Sequence, residues 1–330
     1  MFSPDQYELI DFGEGRRLER FGQLVIDRPC PAVNGMARAV PDAWATAAAR
    51  FIRAQDGSSR WEADNDAPDR WTVQWEDNDN RGNNHWESDA LAEPAPADER
   101  PAASDSPADQ MPSPRSLVFE LKRTPQGQVG LFPEQATNWQ WLRHASRAVD
   151  DRPPRLLNLF AYTGGSTLAA AVAGAEVIHV DAAKNVVAWA RRNAELSGLA
   201  EAPIRWITED APKFVRRELR RGQTYDGVIL DPPSYGHGRR GEVWRLSKHL
   251  PNLLRQCVEL TSGPRRLLLL TCHTPGYEAP RLRTLLADAL RDADNARGAE
   301  NRPRIDGGEL TIATGAGRRM PSGHWATVGE

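Results

Sequence analysis

Short apolar runs and helical stretches alternate through the second part of the chain. Runs rich in Leu, Ile and Val at 156–160, 176–180, 204–208, 225–230 and 265–271 predict strands. Each is followed by a segment with helical spacing, and these helices are predicted to begin near Ser166, Lys184, Lys213, Pro251 and Arg281. Two later strand candidates read ELTIAT and HWATV. Repeated strand and helix units with non-alternating strands predict an α/β fold with a doubly wound, mostly parallel seven-stranded sheet.

The first part of the chain has a different pattern. YELIDFGEGRRLERFGQLVIDRP, RWTVQW and SLVFELKR read as β-strands separated by glycine turns, and they predict a small β-rich N-terminal domain over 1–132. The QG of TPQGQVGLF predicts a hairpin after SLVFELKR, with a second strand following it. NWQWLRHASRAV predicts a helix over 138–149, so the α/β domain is expected over 133–330.

An acidic segment interrupts the β-rich part near 76–115. Residues 87–114 carry seven acidic residues, one basic residue and six prolines. Few large apolar side chains are available there to offset the entropy of ordering, so we predict a disordered loop. The whole chain has a formal net charge of -3, and without this segment the remainder has +3. The predicted folded part is therefore mildly basic.

Composition excludes several classes of protein. The 330 residues are 40% hydrophobic and 26% charged, with no apolar run long enough to span a bilayer. The N-terminal residues lack the basic and apolar regions of a signal peptide, so we expect a cytoplasmic protein. Three cysteines, Cys30, Cys257 and Cys272, have neither a CxxC spacing nor a zinc-type cluster. No metal site or disulfide framework is expected.

The residues that follow the predicted strands are the candidates for a ligand site. The first strand runs into Gly164 and Gly165, and the next three end at Asp181, Asp210 and Asp231. In parallel sheets these ends share one edge, where a carboxylate after the second strand is placed to accept ribose hydroxyls. Glycine lets the backbone approach a ligand closely. Neither GxGxxG nor a P-loop is present, so a nucleoside without phosphates fits better than a dinucleotide.

These motifs carry a resemblance. NLFAYTGG, HVDAAKNVVAWARRNAELSGL, the ED after the third strand and ILDPPSYG, taken together, resemble the class I S-adenosylmethionine-dependent methyltransferases. More narrowly, they are similar to the branch that modifies bases of large-subunit ribosomal RNA. The similarity extends over about 130–274, and GLFPEQ resembles the segment that leads into the catalytic domain of that branch. Asn158 stands where an acidic residue is common in the wider family.

The resemblance implies a cofactor, S-adenosylmethionine, and a set of residues that hold it. The turn from Phe160 through Tyr162 and Thr163 to Gly165 would surround the methionine part of the cofactor. Asp181 would hold the ribose. Asp210 would meet the adenine amine, with Ala211 as an alternative backbone contact.

Two chemistries remain open for the target. DPPSY resembles the motif of amino-methylating enzymes, in which Asp231 and a carbonyl of Pro232 or Pro233 would hold an exocyclic amine and Tyr235 would stack on the base. Alternatively, a thiolate at Cys272 would attack C6 of cytosine so that C5 accepts the methyl group, with the neighbouring His273 lowering its pKa or acting as a base. A cysteine beside an apolar strand is more often part of the core.

The expected partner is RNA, with ribosomal RNA as the first choice. GHGRRG, which contains Arg239 and Arg240, directly follows DPPSY, so the two arginines are expected at the mouth of the cleft, where they would contact phosphates. The alternatives are a methyltransferase for a protein or small metabolite, and a non-catalytic nucleic-acid-binding module. Fold alone does not decide among these, and the sequence leaves the oligomeric state open.

Overall fold

The computed structural model describes residues 2–54, 57–77, 116–147, 152–237, 243–261, 267–297 and 303–329. Nearly all of the predicted acidic loop, from residue 78 to 115, lies outside the described residues. Arg239 and Arg240, with their expected phosphate contacts, also lie outside them.

The N-terminal region is β-rich, as predicted. Five strands form one sheet in the order β1-β2-β3-β4-β5: β1 (Tyr7–Gly13), β2 (Arg16–Phe21), β3 (Leu24–Pro29), β4 (Ala49–Arg53) and β5 (Ser59–Ala63). A separate antiparallel pair consists of β6 (Arg70–Glu76) and β7 (Ser116–Lys122), which flank the acidic segment. A turn follows β7, with Lys122 N–H donating to the Val129 carbonyl, but no strand is present at 123–132. The predicted second hairpin strand is therefore wrong. One edge of β7 pairs with β6, and at its other edge the backbone of Val118 and Glu120 bonds to the side chains of Ser197 and Asn193, in or directly after the helix at 184–196.

The second region has alternating strands and helices. In chain order these are α1 (Ala136–Ala145), β8 (Arg155–Leu159), α2 (Gly165–Val172), β9 (Glu176–Asp181), α3 (Lys184–Leu196), β10 (Ile204–Thr208), α4 (Ala211–Arg220), β11 (Gly227–Leu230), β12 (Tyr235–His237), β13 (Val243–Arg245), α5 (Leu246–Leu260), β14 (Leu267–Cys272), α6 (Ala279–Arg297), β15 (Ile305–Ala313) and β16 (Arg319–Val328). The helix predicted to begin near Pro251 begins at Leu246, since buried Leu246 and Leu250 extend its apolar face toward the N-terminus.

The main sheet has the predicted doubly wound topology. Its seven described strands follow the order β10-β9-β8-β11-β14-β16-β15. Strands β8 to β11 and β14 are parallel, and β16 pairs antiparallel with both β14 and β15. Parallel strands buried on both faces explain the non-alternating apolar runs. In the described residues no helix combines the length and the apolar character needed to cross a membrane.

Side chains on successive strand positions face opposite sides of this sheet. Leu268 and Leu270 of β14 pack in the cluster formed with α4, α5 and α6, whereas Leu267 and Leu269 belong to the cluster on the other face. That second cluster continues through Trp139 of α1 into the N-terminal strands. The two regions thus share one hydrophobic core. The domain boundary at 132/133 stays a prediction.

A buried ionic group stabilises the N-terminal sheet. Glu19 accepts hydrogen bonds from Arg28 Nε at 2.6 Å and from Tyr7 Oη at 3.0 Å, and its carboxylate lies 3.1 Å from Arg17 Nε. Burial by itself would raise the pKa of Glu19, but the two guanidinium groups outweigh this effect and lower it. The cluster keeps its charges because every charge in it has an opposite partner.

Removing the negative charge of Glu19 should destabilise the fold. We expect Glu19→Gln to lower the free energy of unfolding by about 3–5 kcal/mol, because two buried guanidinium groups lose their counter-charge. Chemical denaturation of the purified protein measures this change. Glu62→Gln on β5 is the matched control, since Glu62 pairs with Arg60 at 2.5 Å on the surface and its loss should cost less than about 1 kcal/mol. Equal losses in the two variants would contradict this account of the sheet.

Candidate active site

A cavity of about 490 Å³ lies at the carboxyl edge of the parallel strands. It is lined by eight residues predicted from the sequence: Phe160, Tyr162, Asp181, Asp210, Ala211, Asp231, Pro232 and Pro233. A smaller cavity of about 50 Å³ adjoins it and is lined by Thr163, Gly164 and Gly165, together with Phe160, Tyr162 and Asp231. Tyr235 and Cys272 line neither cavity. Most of the predicted site residues are therefore brought together.

Asp181 ends β9 and presents its carboxylate to the larger cavity. Its two oxygens accept backbone N–H bonds from Tyr162 at 3.0 Å and from Ala183 at 2.9 Å. Burial raises the pKa of Asp181, although these two hydrogen bonds act in the opposite direction. A carboxylate has about four acceptor positions, so acceptor capacity is left for hydroxyl groups in the cavity.

The turn after β8 is strained. Phe160 and Tyr162 adopt positive φ angles of 56° and 49°, which non-glycine residues rarely do. Two hydrogen bonds to β9 hold the turn: Ala161 N–H donates to the Val180 carbonyl at 3.1 Å, and Tyr162 N–H donates to Asp181. Backbone strain of this kind is concentrated at ligand sites, where the surrounding structure maintains it.

The two glycines of this turn line the smaller cavity and are also constrained by packing. Gly164 has a φ of 94° and lies just before α2, with Ala190 as the nearest neighbour of an added Cβ. A Cβ on Gly165 would lie 2.5 Å from the Trp139 ring. Packing against Trp139 therefore requires glycine at position 165.

Asn158 stands where an acidic residue is common, and it is buried beside the smaller cavity. Its Nδ2 donates to Thr167 Oγ1 at 2.8 Å, and Thr167 Oγ1 lies 2.9 Å from His179 Nδ1. Burial lowers the pKa of His179 to about 3, so this ring is neutral at physiological pH. An uncharged amide matches these uncharged neighbours.

Asp210 has a structural function in addition to its place at the cavity. It is the residue before α4, and its Oδ1 accepts the Lys213 N–H at 3.0 Å. Its neighbour Glu209 also lines the cavity and forms an ion pair with Arg217. Both members of the acidic pair therefore line the cavity, and Asp210 also caps α4.

Asp231 is surrounded by hydrogen-bond donors from distant segments. Gln135 Nε2 lies 3.2 Å from its Oδ2, and His273 Nε2 lies 3.4 Å from its Oδ1. Burial would raise the pKa of Asp231, but His273 and hydrogen bonds from Thr271 and Gln135 lower it. Conversely, burial would lower the pKa of His273, but the Asp231 carboxylate raises it to about 9. The two side chains form an ion pair at the edge of the cavity.

The loop after Asp231 is fixed by the antiparallel pair β12 and β13. Trp244 Nε1 donates to the Pro233 carbonyl at 2.6 Å, and Leu246 N–H donates to the Ser234 carbonyl at 3.0 Å. The Pro233 carbonyl is therefore already used inside the protein. Tyr235 is 52% exposed on β12, outside the lining of both cavities.

The Cys272 side chain lies on the opposite face of β14 from that of Thr271. It is fully buried, and it packs with Leu270 and Ala326 in the cluster on the α5 and α6 face of the sheet. Its neighbours Thr271 and His273 contact Gln135 on the opposite face. Burial raises the pKa of the Cys272 thiol, which disfavours the thiolate. This arrangement favours a packing role for Cys272.

Sequence reasoning missed four residues of this site: Gln128, Phe132, Gln135 and Trp244. All four contact or line the cavity through segments that the pattern assigned to turns or connections. The GLFPEQ motif was a usable signal, since it contains both Phe132 and Gln135. Among the described residues, no cluster of three metal-ligating side chains is present.

Comparison with known proteins identifies similar chains. The family model for S-adenosylmethionine-dependent methyltransferases matches residues 113–306. The crystal structure of such a methyltransferase from Agrobacterium tumefaciens has 34% sequence identity and a TM-score of 0.77. That match covers 98% of this chain and 90% of the other.

Two curated relatives share part of the sequence. Ribosomal RNA large subunit methyltransferase I from Aeromonas hydrophila is 38% identical over 166 residues, which is 50% of this chain and 40% of that protein. Ribosomal RNA large subunit methyltransferase K/L from Shewanella baltica is 30% identical over 152 residues, 46% of this chain and 20% of that protein. The chain thus matches less than half the length of these relatives.

The ion pair at the cavity edge should be visible in the titration of His273. NMR of labelled histidine should give a pKa of about 9 for His273 in the wild type, falling toward the ordinary value near 6.5 in Asp231→Asn. Because this pKa is higher in the folded protein, the pair stabilises the fold fully below about pH 6.5 and loses that effect as pH rises through about 9. Asp288→Asn, on the exposed face of α6, should leave the His273 titration unchanged. A wild-type pKa near 6.5 would exclude the ion pair.

Proposed function

The chain belongs to the S-adenosylmethionine-dependent methyltransferases, and from that premise we propose that it methylates an amine nitrogen of a base in large-subunit ribosomal RNA. One observation carries the proposal: Asp231 lies at the edge of the same cavity as Asp181, with its carboxylate held by Gln135 and His273. A cofactor at Asp181 and a target amine at Asp231 therefore fit into one continuous space.

The described residues fit the cofactor. Asp181 has acceptor capacity left for the ribose hydroxyls, and Asp210 and Ala211 lie where the adenine would be bound. The turn from Phe160 to Gly165 would surround the methionine part. The cavity lining includes four carboxylates, Asp181, Glu209, Asp210 and Asp231, which suit a positively charged sulfonium. When bound, S-adenosylmethionine supplies an electrophilic methyl group.

The main contribution of the protein to the reaction is alignment. In this proposal the Asp231 carboxylate accepts an N–H of the target amine, which orients the nitrogen lone pair toward the methyl carbon. Pro232 and Pro233 restrict the backbone next to this carboxylate, and Trp244 fixes the Pro233 carbonyl. Holding reactants in line supplies a large part of the lowering of the barrier in such transfers.

The burial of Cys272 favours nitrogen over carbon as the methyl acceptor. Attack on C6 of cytosine needs an accessible thiolate in the site. Cys272 is fully buried on the opposite face of β14 from Thr271, and its thiol has a raised pKa. The carboxylate is therefore the better candidate for the group that handles the target base.

The names of the curated relatives favour RNA as the substrate of this chain. The two curated relatives are named as ribosomal RNA large subunit methyltransferases, although this chain covers only part of their length. The exposed Tyr235 ring beside the DPPS loop provides a stacking surface for an unpaired base, a contact worth about 1–3 kcal/mol. A ribosomal RNA substrate also agrees with a cytoplasmic location. The division into domains at 1–132 and 133–330 is proposed on the change from β-strands to alternating strands and helices.

Cofactor affinity should depend on Asp181. We expect Asp181→Asn to weaken S-adenosylmethionine binding by about 10- to 100-fold, because hydrogen bonds to an ionised acceptor contribute about 1.5–3 kcal/mol. Isothermal titration calorimetry measures the change. Asp288→Asn is the matched control and should bind like the wild type, since Asp288 pairs with Arg291 on the surface of α6. Unchanged affinity in Asp181→Asn would remove Asp181 from the cofactor site.

Methyl transfer should depend on Asp231 and not on Cys272. Purified protein, labelled S-adenosylmethionine and RNA from a strain lacking the gene are combined, and nucleosides are identified by mass spectrometry. We expect an N-methylated nucleoside, about a 100-fold loss of rate in Asp231→Ala, and a Cys272→Ala rate close to that of the wild type. Loss of activity in Cys272→Ala together with a 5-methylcytosine product would favour the carbon route. If the cofactor binds and no RNA is labelled, the RNA assignment is wrong.

A further inference from the structure

His273 occupies a position from which it can exchange a proton with Asp231. It follows β14 directly, and its ring stacks on Phe132 with centroids 6.2 Å apart. Its side chain is 33% exposed, so it is neither in the core nor fully in solvent. In the methyl transfer proposed above, His273 acts only as the partner of Asp231.

The hydrogen bonds of the ring fix its tautomer. His273 Nδ1 lies 2.5 Å from the carbonyl oxygen of Ser322 in β16, and a carbonyl oxygen only accepts. Nδ1 therefore carries a hydrogen in both protonation states. Only Nε2 is left to gain or lose a proton, and Nε2 is the atom that faces Asp231 Oδ1 at 3.4 Å.

Gln135 provides a partner for Nε2 when the ring is neutral. Its Oε1 accepts from Asn138 Nδ2 at 2.7 Å, so its amide nitrogen is the end that faces the ring. That nitrogen lies 3.2 Å from Asp231 Oδ2 and 3.3 Å from His273 Nε2. An amide has two N–H groups, which is enough for the carboxylate and for the lone pair of the neutral ring.

Two hydrogen-bonded states follow from this geometry. In the protonated state Nε2–H donates to Asp231 Oδ1 and occupies it. In the neutral state Nε2 accepts from Gln135, and Asp231 Oδ1 becomes available to an N–H of the target. Gln135 donates to Asp231 Oδ2 in both states, so the carboxylate does not have to move.

We infer that Asp231 and His273 form a proton relay in which His273 Nε2 is the final acceptor of the proton that the methylated amine releases. The inference rests on the proposed amine-methylating function. The amine nitrogen forms a bond to the methyl carbon, while the carbon–sulfur bond breaks and its electron pair stays on sulfur. The nitrogen is then positively charged, and it gives a proton to Asp231 Oδ1, from which the proton passes to His273 Nε2. The relay needs the neutral ring at the start and ends with the imidazolium paired to Asp231.

Within the described ranges, two carboxylates favour the charged form of this ring. The carboxylate of Asp231, after β11, is nearest, and the buried Glu134, beside Gln135, also favours the charged ring. From β16 the contact is the uncharged Ser322 carbonyl, and the ring of Phe132 covers one side. The pKa of His273, raised to about 9, means that the neutral ring is the minor form at neutral pH.

The pH dependence of methyl transfer tests the relay. For the wild type, kcat/KM toward RNA should rise about tenfold per pH unit between pH 6.5 and 8.5 and level off near pH 9, because it follows the neutral form of a group in the free enzyme. His273→Gln should remove this rise and lower the rate at pH 9 by about 100-fold. His144→Gln, at an exposed position of α1, should keep both the rise and the rate. A His273→Gln enzyme that keeps the rise overturns the relay, even if its rate is low.

A second readout does not depend on activity. Gln135→Leu removes the donor to the neutral ring, so NMR should show a higher pKa for His273 in that variant than in the wild type. An unchanged or lower pKa overturns the two-state arrangement. Failure of the proposed function is distinguishable: if the wild type methylates no RNA base at any pH, the amine-methylating function fails and the relay fails with it. If the wild type methylates an amine and His273→Gln behaves identically, only the relay fails.

Discussion

A carboxylate at the edge of a sheet stays charged and fixed in direction only if donors surround it, and Asp231 obtains its donors from separate parts of the chain. Gln135 comes from the segment before α1, and His273 comes from the end of β14. Asn138 fixes the orientation of the Gln135 amide, and Ser322 of β16 fixes the His273 ring. The site therefore forms only when the sheet, its antiparallel edge and the N-terminal segment are all in place.

The connection between the N-terminal strands and the main sheet also holds the turn after β8, at the end of the cavity where we propose that the cofactor binds. The Gly130 carbonyl accepts from Thr163 Oγ1 at 2.7 Å, next to the strained turn after β8. A Cβ on Gly130 would lie 2.1 Å from the Trp189 ring of α3, so the segment passes very close to that helix. The hydrophobic core that includes Trp139 also packs against this segment. The small β-rich part is thus a structural support of the cavity, whatever else it contacts.

Sequence patterns predicted the fold well because burial of parallel strands leaves a local signature. The extents of α3 and β10 agree with the predicted ones, and the positions of Asp181 and Asp231 followed from the strand ends. Local patterns failed where a distant partner decides the outcome. The segment after β7 forms no strand, because β6 pairs with one edge of β7 and Asn193 and Ser197 bond to the backbone at the other edge. The contact of Gln135 with Asp231 joins residues 96 positions apart, and no periodicity reports such a pair. The face of the sheet on which Cys272 lies, in contrast, is predictable from strand alternation. Cys272 directly follows Thr271, and successive side chains of a strand face opposite sides.

We propose that this chain places a methyl group on a nitrogen of a ribosomal RNA base that Asp231 orients. The most direct measurement compares the modified nucleosides of large-subunit ribosomal RNA from cells with and without the gene, by liquid chromatography and mass spectrometry. One N-methylated nucleoside should be absent from the strain that lacks the gene. The wild-type gene should restore it, and the Asp231→Ala variant should not. An identical set of nucleosides in both strains, or the loss of 5-methylcytosine alone, would contradict this proposal.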